Sequence, residues 1–319
     1  MDDVITNSSA IVAGQALKTG SPVFQPQVSI EVKTETPFLP KMAFLLISIA
    51  SLVGVYFTGR LHGLEGFPLL WRWTAFWSLA LPSGMLAWQL FYLRRRETGL
   101  DDGRVAALHD ALTQRVRIIG RYLAPLILAG ASAPLLVDYL SAWQSLTLAL
   151  GGLALALLVS FAYRSRLAAL GGLLLGAALL AVWSWADSGG SVYLALVRTA
   201  HLWAFAAWLG GALFNLGAAV PAGRKHVNLD AVVAGARQLE RFRWVVRTSL
   251  PLIVLTGVWM ALRYGDALSP FWREGIGLLV PLKLGLIAAL VVIFITCPLY
   301  RACSPVRGVC NLDDISNDS

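Results

Sequence analysis

Long apolar runs, each about 20 residues in length, constrain this chain more than any other feature of its sequence. A helix of that length crosses the hydrocarbon core of a bilayer, and the runs lack the alternation of apolar and polar residues that a membrane β-barrel needs. Of the 319 residues, 57% are hydrophobic and 14% are charged, which is too apolar for a water-soluble domain of this size. The sequence therefore predicts an all-α, polytopic membrane helix bundle.

Eight membrane spans can be placed along the chain, with boundaries that hold to within several residues. They lie near residues 42–58, 68–93, 119–141, 145–163, 167–186, 192–220, 244–263 and 277–299. The predicted eight-helix membrane domain thus covers residues 42–300, between a flexible polar tail at 1–41 and a C-terminal tail at 301–319. Because the N-terminal tail is polar and has no early apolar core, we expect no signal peptide.

The positions of the basic residues predict how the chain is oriented. If the N-terminus is cytoplasmic, 20 of the 26 Lys and Arg residues fall on the inner side of the membrane. Many of them lie in or beside two long connections, near 94–118 and 221–243. Cytoplasmic loops carry such an excess of Lys and Arg, so we expect both termini in the cytoplasm. The net charge of +8 then reflects orientation in a lipid bilayer, and no nucleic-acid partner is expected.

The sixth span contains the most informative polar side chain. At 3.6 residues per turn, His201 shares one helix face with Trp208, Gly211 and Asn215, which forms a stripe of polar and small residues in an apolar helix. A neutral imidazole at this depth can bind a metal or haem iron, or relay a proton. The alternative is a structural histidine that is hydrogen-bonded to a neighbouring helix.

Two further residues are candidate metal ligands beside His201. Met260 follows Thr256 at helical spacing in the seventh span, and a thioether with an imidazole suits Cu(I), which prefers soft donors. His62, in the first outer loop, could complete the site from the same side of the membrane. The alternatives are that Met260 fills the core and that His62 is a solvated loop residue.

Lys283 lies near the outer end of the eighth span, where it either snorkels to the interface or faces the bundle. If it faces the bundle, its charge favours an anionic partner or repels free cations. No Asp or Glu lies in the middle of a predicted span, which disfavours transport through a buried carboxylate relay. The sequence offers no set of catalytic residues, and we do not expect an enzyme.

Small residues and cysteines have simpler interpretations. Gly pairs at 151–152, 171–172 and 210–211, with Gly172 and Gly176 at the GxxxG spacing, predict close packing of helices. Three cysteines, Cys297, Cys303 and Cys310, lie at the C-terminal end, and their spacing matches no common zinc pattern.

Several short motifs in the second half of the chain together resemble a known family. They are Arg198 to Gly211 with His201, Trp208, Gly210 and Gly211, then Arg241-Phe242, Leu255-Thr256-Gly257-Val258 and Leu282-Lys283-Leu284. Their order and spacing resemble the membrane domain of the CopD/PcoD copper-resistance family over about residues 190–300.

This resemblance implies a multi-pass protein of the bacterial inner membrane that is involved in copper transport. The family is commonly taken to move copper from periplasm to cytoplasm beside periplasmic copper-binding partners. His201 matches the family's histidine in this helix, and Lys283 matches its lysine. The predicted ligand set is therefore His201, Met260 and His62 around a copper ion, supported by Trp208, Asn215, Lys283 and Thr256.

Two other functions stay open at this point. One is an electron-transfer subunit that holds haem b or meets a quinone, in which His201 and Met260 would ligate the haem iron. The other is a non-catalytic assembly subunit in which His201 is structural. A haem spectrum would favour the first, and bound copper without such a spectrum would favour copper transport.

Overall fold

The structure, a computed structural model, describes residues 38–135, 140–161, 165–263 and 278–296, and all regular elements in these ranges are helices. This confirms the all-α prediction for the described part of the chain. The helices are α1 Phe38–Leu61, α2 Phe67–Ala87, α3 Asp102–Ser132, α4 Ala142–Phe161, α5 Arg166–Ala186, α6 Val192–Phe214, α7 Val220–Gly223, α8 Leu229–Leu262 and α9 Leu279–Thr296. π-Helical turns, Trp88–Tyr92 and Asn215–Ala219, extend α2 and α6. Helix α1 begins slightly before the predicted boundary at residue 42, and the three cysteines lie outside the described residues.

Six of these helices are long and apolar enough to cross a bilayer, namely α1, α3, α4, α5, α6 and α8. Their outer faces expose large apolar side chains, as lipid contact requires and as a water-soluble protein would avoid. Examples are Leu45, Leu150, Leu153, Leu157, Leu174 and Leu196. The chain is thus a helical membrane protein. A helix coincides with each of the eight predicted spans, while the number of eight crossings and the cytoplasmic position of both ends stay predictions.

Helix α2 lies at the centre of the bundle, where it packs against α1, α3, α5 and α6. All residues from Ser78 to Leu86 are buried, which means that neighbouring helices surround this stretch on every side. Helix interfaces in membranes favour small and weakly polar residues, and this stretch contains Ser83 and Gly84. Burial in protein rather than in lipid explains why α2 has no stretch as apolar as those in the six helices that are apolar enough to cross a bilayer.

Glycines bring the central helices into close contact, as predicted for most of the Gly pairs. A Cβ atom on Gly84 of α2 would lie 1.8 Å from the carbonyl O of Ala206 in α6, and one on Gly210 would lie 2.4 Å from the carbonyl C of Gly84. In α5, a Cβ atom on Gly176 would lie 2.1 Å from Ser83 Oγ. Only Gly171 of the predicted pairs has a distant neighbour, at 4.0 Å. The backbones of α2, α5 and α6 therefore approach each other where side chains would not fit.

The two basic connections predicted near 94–118 and 221–243 are largely helical, which corrects their assignment as links between helices. Helix α3 begins at Asp102 and α8 at Leu229, well before the apolar spans that they contain. Buried residues in the first part of α3 recur every three or four positions, as on an amphipathic helix. They are Val105, Leu108, Leu112 and Val116. The error arose because the predicted spans ended where the apolar run ended, whereas the helices continue with one apolar face.

Ion pairs join these two helical extensions at the predicted cytoplasmic end. Arg241 of α8 binds both carboxylate oxygens of Glu97, at 2.6 and 2.8 Å, and Glu97 is 9% exposed. At the first turns, Arg104 Nη1 of α3 donates to Asp230 Oδ2 of α8 at 2.9 Å. Arg241 Nη2 donates both bonds to Glu97, and Nη1 donates to the carbonyl O of Tyr92 at 3.2 Å, so Arg241 fixes the connection between α2 and α3 against α8.

Candidate functional site

A pair of adjoining cavities lies between α1, α6, α8 and α9, toward the predicted outer side of the bundle. Their volumes are about 130 and 240 Å³. His201, Met260 and Lys283 line both cavities, so the structure brings these three predicted residues to one place. The site thus joins side chains from α6, α8 and α9, which are distant in sequence.

His201 is oriented by a hydroxyl group of α8. Its Nδ1 lies 2.9 Å from Thr256 Oγ1, and that hydroxyl in turn donates to the carbonyl O of Leu252, one turn earlier in α8. Because the hydroxyl proton is used in the second bond, Thr256 Oγ1 accepts from His201 Nδ1–H. The neutral tautomer with a proton on Nδ1 leaves the lone pair of Nε2 available for a metal or a proton. The predicted supporting role of Thr256 corresponds to this contact.

The helix backbone beside Thr256 also contacts the imidazole. A Cβ atom on Gly257 would lie 3.5 Å from His201 Cε1, which is ordinary van der Waals distance. The Thr256-Gly257 pair therefore supplies both a hydrogen-bond acceptor and a flat surface for the ring. Trp208, which is 4% exposed, lines the smaller cavity two turns beyond His201 on the same helix face.

Lys283 faces the bundle, which decides between the two orientations that the sequence left open. Its Nζ packs so close to α1 that a Cβ atom on Gly54 would lie 2.6 Å from it. Its neighbours Leu282 and Leu284 are 52% and 45% exposed and face outward instead. Gly54 thus provides the space in which the lysine end group lies.

A buried ion triad adjoins the cavities, and it was not predicted from the sequence. Asp187, at the end of α5, accepts through Oδ2 from Arg72 Nη2 of α2 at 2.5 Å and from Arg198 Nη2 of α6. The side chains of Arg72, Arg198 and Asp187 are 2%, 8% and 0% exposed. Arg198 also lines both cavities, which connects the triad to the site. The triad could have been predicted from one sequence feature, since three charged residues lie at the same predicted end of three spans.

Two predicted residues lie away from the cavities. His62, in the α1–α2 loop, does not line either one, but it lies near the triad. Partial burial lowers the pKa of His62, an effect that Asp187 opposes and that Arg72 and Arg198 strengthen. Asn215 is buried at the far end of α6, where its Nδ2 donates to the carbonyl O of Gly211 at 2.9 Å. The geometry gives Asn215 a role in the π-helical turn that begins there.

Few of the side chains at the cavities can bind a metal ion. Within the described ranges, no three His, Cys, Asp or Glu side chains gather where they could hold a metal ion. The cavities instead offer one imidazole nitrogen from His201 and one thioether sulfur from Met260. Such a pair suits a soft ion with a low coordination number better than it suits Zn²⁺, which takes four ligands in structural sites.

The C-terminal part of the chain contains the motifs that meet at this site. Residues 236–307 match the family model of copper resistance protein D. This match confirms the resemblance that the sequence motifs indicated, and with the apolar helical bundle it indicates a copper-resistance membrane protein. No curated protein and no solved structure matches the chain.

The matched region includes three of the four motifs behind the resemblance. Thr256-Gly257 contacts His201, Lys283 faces the same cavities, and Arg241 binds Glu97 at the other end of the bundle. His201 itself lies before the matched region, but its hydrogen-bond partner lies inside it. The contact thus links α6 to the part of the chain with the family match.

Proposed function

We propose that this chain is a copper transporter of the bacterial inner membrane that accepts Cu(I) at the His201 cavities. The observation that carries the proposal is that His201 and Met260 line the same two cavities, together with Lys283 from the matched region. The cavities lie near the predicted outer ends of α6 and α8, so copper would enter from the periplasmic side. A periplasmic copper-binding protein is the partner that this entry route suggests.

The chemistry of the two donors supports copper as the cargo. His201 Nε2 has a free lone pair because Nδ1–H is bound by Thr256, and Met260 contributes a soft sulfur. A neutral imidazole and a thioether hold Cu(I) less firmly than charged thiolates would, and a transporter must release its cargo. The other described residues that line the cavities are mostly apolar, so copper would rest on these two donors before it moves inward.

The first test is metal analysis and an absorption spectrum of the purified protein, with His201→Ala and Met260→Leu beside the wild type. We expect copper in stoichiometric amounts in the wild type, nearly complete loss in His201→Ala, and weaker binding in Met260→Leu. His226→Ala is the matched control, because His226 lies in the α7–α8 connection, away from the cavities.

The same measurement separates the competing functions. Equal copper contents in the wild type and His201→Ala would contradict the proposal. A Soret band that disappears in His201→Ala would instead identify a haem-binding electron-transfer subunit. Copper accumulation in cells that express each variant tests transport, and uptake unaffected by His201→Ala would also overturn the proposal.

Thr256→Val should weaken copper binding without removing a ligand. The substitution keeps the shape of the side chain but removes the acceptor of His201 Nδ1–H, so the ring loses its fixed tautomer. Loss of such a supporting hydrogen bond typically lowers metal affinity about 10–100-fold. The measurement is competition with a chromogenic Cu(I) chelator. Thr248→Val is the control, since Thr248 lies in the same helix and bonds only backbone carbonyls; equal losses in both variants would refute the role of Thr256.

A further inference from the structure

The charged side chains that line the cavities, as far as the structure describes them, are all positive. Asp187 carries one negative charge and accepts hydrogen bonds from both Arg72 and Arg198. Arg198 also lines the two cavities, and Lys283 lines them from α9. Among the residues that the structure describes, no carboxylate forms an ion pair with Lys283. Among the described residues that line the two cavities, Arg198 and Lys283 carry positive charge, and none is an Asp or a Glu.

Such a concentration of positive charge is costly inside an apolar helix bundle. Buried charges in proteins are generally paired, because removal from water without a counter-charge has a large free-energy cost. Lys283 does not escape to the interface by snorkelling, since its Nζ packs against Gly54 in the interior of the bundle. Lys283 and Arg198 instead line the same two cavities.

We infer that these cavities bind a small monovalent inorganic anion, such as chloride, between Lys283 Nζ and the Arg198 guanidinium. Both cavities, at about 130 and 240 Å³, far exceed the volume of roughly 10–15 Å³ that a single water needs. A halide is only somewhat larger than a water molecule. The two cationic groups come from α6 and α9, so the anion would connect these helices. This anion site does not depend on copper, although an anion here would also offset the charge of an arriving Cu(I).

The test is the thermal unfolding of the copper-free protein in discs of zwitterionic lipid, at constant ionic strength, as chloride replaces gluconate. Zwitterionic lipid excludes an anionic headgroup as the occupant. We expect a saturable rise in the unfolding midpoint of about 2–4 °C, because a ligand that binds only the folded state stabilises it. No saturable rise in the wild type would overturn the inference.

Two variants and a control locate the anion. Lys283→Met keeps most of the apolar stem and removes the charge, and we expect it to abolish the chloride effect. Gly54→Ala keeps the charge but places a methyl group 2.6 Å from the position of Lys283 Nζ, so the lysine end group must shift and the chloride affinity should fall about tenfold. Lys225→Met, at an exposed lysine in the α7–α8 connection, should respond to chloride as the wild type does.

The outcomes distinguish this inference from the copper proposal. An unchanged chloride response in Gly54→Ala and Lys283→Met would overturn the anion site, whatever the copper content of the protein. If Lys283→Met does not fold, Gly54→Ala decides, because a lysine end group can shift to admit one methyl. If the wild type shows the chloride effect but binds no copper, the anion site is supported and only the proposed transport function is contradicted.

Discussion

Asp187→Ala should destabilise the protein more than any other single change at the predicted outer end of the bundle. The substitution leaves the Arg72 and Arg198 guanidinium groups side by side with no carboxylate between them. Removal of one partner from a buried ion pair typically costs about 3–5 kcal/mol, because the remaining charge stays buried. We expect a strong decrease in folded protein in the membrane and in the free energy of unfolding in detergent.

A second substitution tests whether charge is the cause. Asp187→Ala combined with Arg72→Leu restores the excess of one positive charge that the wild-type triad has, so part of the lost stability should return. Asp110→Ala is the control, because the side chain of Asp110 is 66% exposed and its loss should cost at most about 0.5 kcal/mol. If the double variant is less stable than Asp187→Ala alone, like-charge repulsion is not the origin of the effect.

The helical class and the positions of the helices could be predicted because lipid imposes a simple rule. Apolar runs of membrane-spanning length have few alternatives, and each predicted span coincides with a helix. The rule says little about chain segments outside the lipid. Val105, Leu108 and Leu112 had the helical spacing that extends α3, but the basic residues on either side of them, such as Arg104 and Arg115, resembled those of a loop.

The candidate site could be predicted only in part, because a sequence does not show which helix faces meet. His201 stood out as a polar residue on a helix face with small neighbours, and it does line the cavities with Met260. His62 was included in the predicted ligand set only because it lies on the same predicted side of the membrane as His201. That criterion does not fix its position among the helices. The triad was missed because each of its residues, taken singly, looks like an ordinary charge at the end of a span.

Gly84→Ala should lower the free energy of unfolding almost as much as Asp187→Ala does, but for a different physical reason. The new methyl would lie 1.8 Å from the carbonyl O of Ala206 and 2.9 Å from Gly210 Cα, and both are backbone atoms that cannot rotate away. Overpacking typically costs about 1–3 kcal/mol, and more where the neighbour cannot move. Helices α2 and α6 would have to separate along their shared contact. The free energy of unfolding in detergent measures the loss.

The control substitution for Gly84→Ala should change the stability of the protein in the opposite direction. Gly285 lies in α9, where an added Cβ would have no described atom from outside its own helix within 4 Å, so Gly285→Ala should stabilise the helix slightly, by about 0.5–1 kcal/mol. Because α2 carries Arg72 and α6 carries both Arg198 and His201, separation of α2 from α6 would also disrupt the triad and tilt the imidazole. Gly84→Ala should therefore weaken copper binding in the fraction of the protein that still folds. If this variant has the stability and the copper binding of the wild type, α2 and α6 do not touch at Gly84.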